Sequence, residues 1–215
     1  MTNVSMSFGD REKLLRDYVS GRVSVLQRRY REQDADARAA LAELRRGVGG
    51  APGTDPLLWK LTVDGFPAEL NAPETLTRAE HDGAATVWER AAFDAITLFA
   101  LHQQSRTSAM HRAGIGLGAA VRVLGTRAGS EDAVRARFHA LGTAQDHPAR
   151  LIHLRGLITQ CRAFDIALDY GRLAVDLGRL DRNTYADRVL LAWARDLHRR
   201  PREATADTPE TGEKR

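Results

Sequence analysis

The stretch Trp88-Glu89-Arg90-Ala91-Ala92-Phe93-Asp94-Ala95-Ile96-Thr97-Leu98-Phe99-Ala100-Leu101 decides the fold of this 215-residue chain. As a helix it would be apolar on nearly all sides rather than along one stripe. A helix of that kind is stable in water only when other helices surround it, so the segment is expected at the centre of a helical body. Upstream, Thr77-Arg78-Ala79-Glu80 fits a capping box, in which hydroxyl and carboxylate each satisfy an orphan amide. The pattern therefore predicts one long helix from Thr77 to about Gln104.

Almost every other segment also reads as helix, and alternating β-branched strand patterns are nearly absent. A first helix is expected from about Asp10 to Glu32, with Leu14, Leu15, Tyr18, Val25 and Leu26 as its apolar stripe. A second runs from about Asp34 to Val48 and stops at Gly49-Gly50. Residues 50–76 carry Pro52, Pro56, Pro67 and Pro73, which predicts a long connection with one short helical turn near Leu57–Leu61. Further helices are expected over Gly116–Leu124, Ser130–Leu141, Ala149–Arg162, Asp165–Arg179 and Thr184–Arg200. Asp146 and Pro148 mark the start of the third of these, and Pro201 the end of the last. The expectation is an all-α protein, with one or more helical bundles of about eight helices. An N-terminal region (1–105) would end in the long buried helix, a C-terminal bundle would span 106–200, and a polar, disordered tail would cover 201–215.

Composition excludes several classes. No apolar run approaches the ~20 residues of a bilayer span, and the opening MTNVSMSFGDREKLLRDY has no signal-peptide core, so no membrane association and a cytoplasmic protein are expected. The single cysteine, Cys161, can form neither an internal disulfide nor a Cys-based zinc cage, and on the stripe Leu151, Leu154, Ile158, Cys161 it reads as a small buried hydrophobe. No G-x-S-x-G, H-E-x-x-H, P-loop or C-x-x-C motif is present. Gly114-Ile115-Gly116-Leu117-Gly118 has no preceding strand and no following Lys-Ser/Thr, so it reads as close helix packing rather than a phosphate loop. The histidine pairs His102/His111 and His139/His147 lack the i,i+4 spacing of a metal site and read as structural or surface histidines. No catalytic residue, metal or cofactor is expected, and the chain does not read as an enzyme.

Charge is more informative by position than in total. The formal net charge is +4, with 32 basic residues of which only Lys13, Lys60 and Lys214 are lysine. Residues 1–48 carry +3, residues 49–99 carry −5, residues 100–200 carry +7 and the last fifteen carry −1. No acidic side chain occurs from 95 to 130, a window holding Arg106, Arg112, Arg122 and Arg127 among hydroxyls and amides. Asp169, Arg172, Asp176 and Arg179 alternate in sign at helical spacing, which predicts a self-neutralising, solvated face. Other arginines stand outside such a ladder, although on the last helix Arg199 has an acid, Asp196, one turn away. Arg188, Arg195 and Arg199 share one face of the last helix, Arg45 and Arg46 end the second, Arg155 and Arg162 repeat a seven-residue spacing, and Arg135 and Arg137 add two more. Several arginine stripes on a helical body suit a polyanion backbone bound without sequence readout. Two other readings of the residues stay open: a helical protein–protein interaction scaffold whose arginines meet acidic partners, and an enzyme with a dispersed histidine site.

The sequence resembles the CasB family, the small subunit of the type I-E CRISPR surveillance complex Cascade. The likeness is carried in order by Ala40-Leu41-Ala42-Glu43-Leu44-Arg45-Arg46-Gly47, Leu101-His102-Gln103-Gln104, Gly116-Leu117-Gly118, Arg137-Phe138-His139-Ala140-Leu141, Leu151–Leu157, Asp169-Tyr170 with Leu173 and Asp176-Leu177, and Trp193-Ala194-Arg195-Asp196-Leu197. The resemblance implies an all-helical, non-enzymatic subunit that forms a homodimer among other Cascade subunits. It also implies contact with the crRNA–target hybrid and support of the displaced DNA strand of the R-loop. The family's basic positions that match are Arg45, Arg46, Arg135, Arg137, Arg155 and Arg188. This chain departs at Gly156, where a second consecutive basic residue can occur, and in an extra segment near Leu180–Asn183.

Overall fold

The computed structural model describes residues 6–199, and these form ten α-helices with no β-strand. They are α1 (Phe8–Arg31), α2 (Ala35–Arg46), α3 (Pro56–Thr62), α4 (Arg78–His81), α5 (Val87–Gln103), α6 (Leu117–Ala128), α7 (Glu131–Gly142), α8 (His147–Ala163), α9 (Tyr170–Asp181) and α10 (Asn183–His198). Two short 3₁₀ turns, Ala68–Asn71 and Pro73–Thr75, lie in the proline-bearing connection. The expected tail, 201–215, lies outside the described residues.

The all-α class is as the sequence predicts, and α5 is the buried centre. Fourteen of its seventeen residues are buried, so it meets neighbours all round rather than on one stripe. It packs against α1, α2, α8 and α9, while α6 packs against α7, α8 and α10. A single apolar cluster runs from Leu15 of α1 through Phe93 and Phe99 of α5 to Trp193 of α10. Each large side chain in it contributes about 1.5–3 kcal/mol by leaving water.

Two expectations are corrected. The helix read as continuous from Thr77 is two. The Thr77/Glu80 capping box forms, yet α4 ends after a single turn, and Gly83 takes a left-handed φ of 99° that a helix cannot continue through. A second capping box, Thr86 with Glu89, then opens α5. Together with α3, which enlarges the short turn expected near Leu57–Leu61, this raises the helix number from about eight to ten.

The alternating ladder on α9 is not a solvated face. Asp176 is 6% exposed and accepts the Trp193 indole N–H at 2.7 Å. Arg179 donates to Glu12 of α1 at 2.6 Å, Arg172 to Asp196 of α10 at 2.9 Å, and Asp169 caps the helix while accepting the Gly114 amide. The charges pair outward to three other parts of the chain because α9 is wedged between α1, α5 and α10, which buries both aspartates and leaves Arg172 and Arg179 only about one-third exposed.

Candidate nucleic-acid interface

α2 ends at Gly47, and the chain turns through Val48, Gly49 and Gly50 to form one wall of an open groove. The opposite wall is the first half of α8, opened by Asp146, whose carboxylate accepts the Ala149 amide at 2.8 Å. The groove has a volume of about 550 Å³, and Arg90, His147, Ile152 and Arg155 line it.

Its floor is a buried ionic network. His147 Nε2 lies 2.9 Å from Asp94, an ion pair off the line of an aligned hydrogen bond, and its Nδ1 lies 3.1 Å from Asp181. Arg150 donates to Asp181 at 2.9 Å, with Arg90 at 3.9 Å. Burial alone would lower the His147 pKa, but the Asp181 and Asp94 carboxylates outweigh it and raise it to about 9. Burial pushes the Asp94 carboxyl upward, partly opposed by His147. Three cationic groups therefore face two buried carboxylates at neutral pH; the exposed Arg155, with no acidic partner among the described residues, adds a further positive charge, and Asp146 at the start of α8 offsets one. Ile152, 70% exposed and one turn before Arg155, gives the rim an apolar edge.

The remaining arginines fall into two groups. Arg45, Arg112, Arg137, Arg188 and Arg195 have no acidic partner among the described residues, and Arg188 lies 5.6 Å over the Tyr185 ring. Others are engaged. Arg46, although largely exposed, donates to both carboxylate oxygens of Glu43 at 2.9 Å. Arg106 pairs with Asp165 at 3.3 Å, Arg199 with Asp196 at 3.4 Å, and Arg135 more loosely with Glu131 and Asp132. Arg162 donates to the Leu101 carbonyl and the Gln104 amide oxygen. Arg122 donates to the Arg199 carbonyl at 2.7 Å and lines a small hollow with Arg135. The acid-free window 95–130 is thus not free of acids in space, since Asp165 reaches it from 59 residues away.

Sequence reasoning passed over Arg90 and His147. Arg90 sits in the net-acidic stretch, and the charge on His147 depends on carboxylates far away in the chain. Of the other histidines weighed, His102 and His111 are structural and His139 is exposed on the surface. His102 bonds the Tyr170 hydroxyl at 2.8 Å, with burial lowering its pKa to about 3, and His111 accepts the Tyr170 amide. Cys161 is buried, which raises its thiol to about 12. The Gly116–Gly118 stretch packs closely on other helices, with Gly118 directly beneath the Trp193 backbone. No helix among the described residues is long and apolar enough to cross a membrane.

Fold and surface together define an all-helical protein built round one buried helix, with unpartnered arginines on several outer faces. The family model for CRISPR-associated protein Cse2 matches residues 40–198, and the chain belongs to that family. The crystal structure of CasB from Thermobifida fusca is similar, with 36% sequence identity and a TM-score of 0.73 over 86% of this chain and 98% of that one. No curated protein sequence matches.

Proposed function

We propose that the chain is a non-catalytic subunit of a type I-E Cascade complex, where it holds the crRNA–target hybrid and the displaced DNA strand by arginine–phosphate contacts. The observation that carries this reading is the surplus of positive charge at the α2–α8 groove, where Arg155 stands exposed beside Arg90 and a protonated His147. Family membership supports assembly with other Cascade subunits, and a second copy of this chain among them is part of the proposal.

The physical role follows from how RNA-guided recognition divides its work. Base pairing reads the sequence, and protein holds the backbones by charge and shape. Exchange of a DNA duplex for a hybrid is nearly balanced, so a few phosphate contacts on the displaced strand shift it toward the open state. Guanidinium groups suit the task because they donate in a planar fork to phosphate oxygens of any sequence.

The test is an electrophoretic shift of the full chain with single-stranded DNA, duplex DNA and RNA over a range of salt. Neutralising Z phosphates on a single strand gives a log–log salt slope of about −0.7Z. Arg155→Ala combined with Arg188→Ala should reduce the slope for single-stranded DNA by about 1.4 without unfolding the subunit. An unchanged slope in that double variant, or no nucleic-acid binding by the wild type, overturns the reading. Capture of an acidic protein by a wild type that binds no nucleic acid would favour an interaction scaffold.

A further inference from the structure

Away from the α2–α8 groove, the turn between α1 and α2 faces the connection between α5 and α6 across a hollow of about 220 Å³. Arg31, Arg38 and Arg106 all line it, with Tyr30 and Ser105 between them. These arginines come from the end of α1, the first turns of α2 and the loop after α5, so nothing in their sequence spacing brings them together.

The hollow is held in shape by bonds that leave donors free. Arg31 uses its Nε to donate to the Thr107 carbonyl at 2.9 Å, and its terminal nitrogens have no acidic partner among the described residues. Arg106 is set by Asp165 at 3.3 Å, and the same carboxylate accepts the Ser108 hydroxyl at 2.7 Å. The buried Gln103 amide donates to the carbonyls of Arg106 and Ser108, both at 2.9 Å, which pins the loop backbone. The Tyr30 oxygen accepts the Ser105 amide at 3.2 Å, leaving the phenolic proton available. Arg38 is exposed and has no acidic partner among the described residues.

Local charge and backbone agree. Asp34 is engaged by Arg29 at 2.7 Å and Asp36 lies 3.7 Å from the same guanidinium, so neither reaches the hollow. Among the lining groups and their bonded partners, three guanidiniums stand against the single carboxylate of Asp165, and the exposed Glu32 beside Arg31 forms no ion pair among the described residues. Both lips carry a non-glycine residue in the left-handed region, Gln33 at φ 66° and Ser105 at φ 58°. The third such residue in the described chain is Asp165, at φ 51°. Each costs about 1–2 kcal/mol, and such costs gather where a fixed geometry serves a ligand.

We propose that this hollow binds one tetrahedral phosphoryl group, held by the Arg31, Arg38 and Arg106 guanidiniums and the Tyr30 hydroxyl. The group is either a phosphodiester of a bound strand or a free phosphate-type anion. The first source rests on the proposed nucleic-acid reading, and the second does not.

The test is calorimetric titration of inorganic phosphate into the full chain and into Arg38→Gln, followed by competition with a short oligothymidylate. Arg38→Gln removes an exposed side chain, and an unchanged melting temperature confirms that it folds. Loss of one charge-assisted contact should weaken phosphate binding about tenfold or more, and Arg38→Lys should restore part of it. Displacement of phosphate by the oligonucleotide assigns the site to a strand, and so does a salt slope lowered by about 0.7 in Arg38→Gln even without measurable phosphate heat. Phosphate binding that the oligonucleotide does not disturb assigns the site to a free anion. The proposal is overturned if phosphate binding is equal in wild type and Arg38→Gln. It is equally overturned if phosphate does not bind and the oligonucleotide slope is the same in both. Wild type that binds phosphate here but no nucleic acid overturns the function reading alone. Wild type that binds nucleic acid with neither signature overturns the hollow alone.

Discussion

Gly118 of α6 lies directly under the backbone of Trp193 of α10, so close that a Cβ at Gly118 would overlap the Trp193 carbonyl oxygen. Backbone cannot swing aside as a side-chain tip can, so the two helices must part to admit a methyl group. Gly118→Ala is expected to cost about 1–3 kcal/mol, read as a melting temperature lowered by several degrees. At Gly116 the neighbour is the flexible end of Arg172, so Gly116→Ala should cost clearly less. Equal losses at the two positions would contradict this geometry.

His147 makes stability fall on the alkaline side. Its folded pKa of about 9 lies above the unfolded value of about 6.5, so its contribution is complete below the lower figure and is lost as pH rises through the upper one. Partial exposure to solvent reduces that contribution to about 1–2 kcal/mol. The melting temperature should therefore drop between pH 7 and about 10, and drop less in His147→Gln. His147→Ala at neutral pH strands Asp94 without its cation and should cost about 2–3 kcal/mol, limited by protonation of that carboxyl.

Asp176 acts in the opposite sense to a typical ion-paired carboxylate. Burial raises its pKa to about 6, only partly offset by the Trp193 indole. Because the folded value exceeds the unfolded one, the ionised form is penalised above about pH 6, and the penalty recedes as pH falls toward 4. Asp176→Asn keeps an acceptor for Trp193 without the charge. It should be as stable as wild type or more so at pH 7, the difference shrinking at pH 4, which paired thermal melts at the two pH values would check.

Gly156 offers a gain rather than a loss. A Cβ there would meet nothing within 4 Å, and the position is exposed inside α8 next to Arg155. Gly156→Arg should stabilise the helix by about 0.5–1 kcal/mol through helix propensity. On the proposed function it should also steepen the single-stranded DNA salt slope by about 0.7. A more stable variant with an unchanged slope would place this face of α8 away from the strand.

Much of the fold was legible because helix signals are local. The all-round apolarity of Trp88–Leu101 foretold a buried α5, and Thr77-x-x-Glu80 is a cap in the structure as in the sequence. The break between α4 and α5 was legible as well, since Thr86-Val87-Trp88-Glu89 is a second capping box and Asp82-Gly83 is a turn pair before it. The stronger-looking upstream box hid the downstream one. The α9 ladder misled for a different reason. Alternating charges at i,i+4 describe a solvated face only when water has a side to occupy, and α1, α5 and α10 bury both aspartates of α9.

By itself the sequence determined the all-α class, the central helix, the caps and stops of most helices, and the interior place of Cys161. All of these depend on interactions within a few turns or on how much apolar surface one segment must hide. Tertiary structure decided which charges remain free wherever the partner lies on another element, whereas Arg46–Glu43, Arg135–Glu131 and Arg199–Asp196 sit one helical turn apart and follow from spacing. Arg179 finds Glu12 across 167 residues, Arg106 finds Asp165 across 59, and His147 acquires its charge from Asp94 and Asp181 on two other helices. Coulomb attraction depends on distance in space, and spacing along the chain fixes that distance only within a single helix.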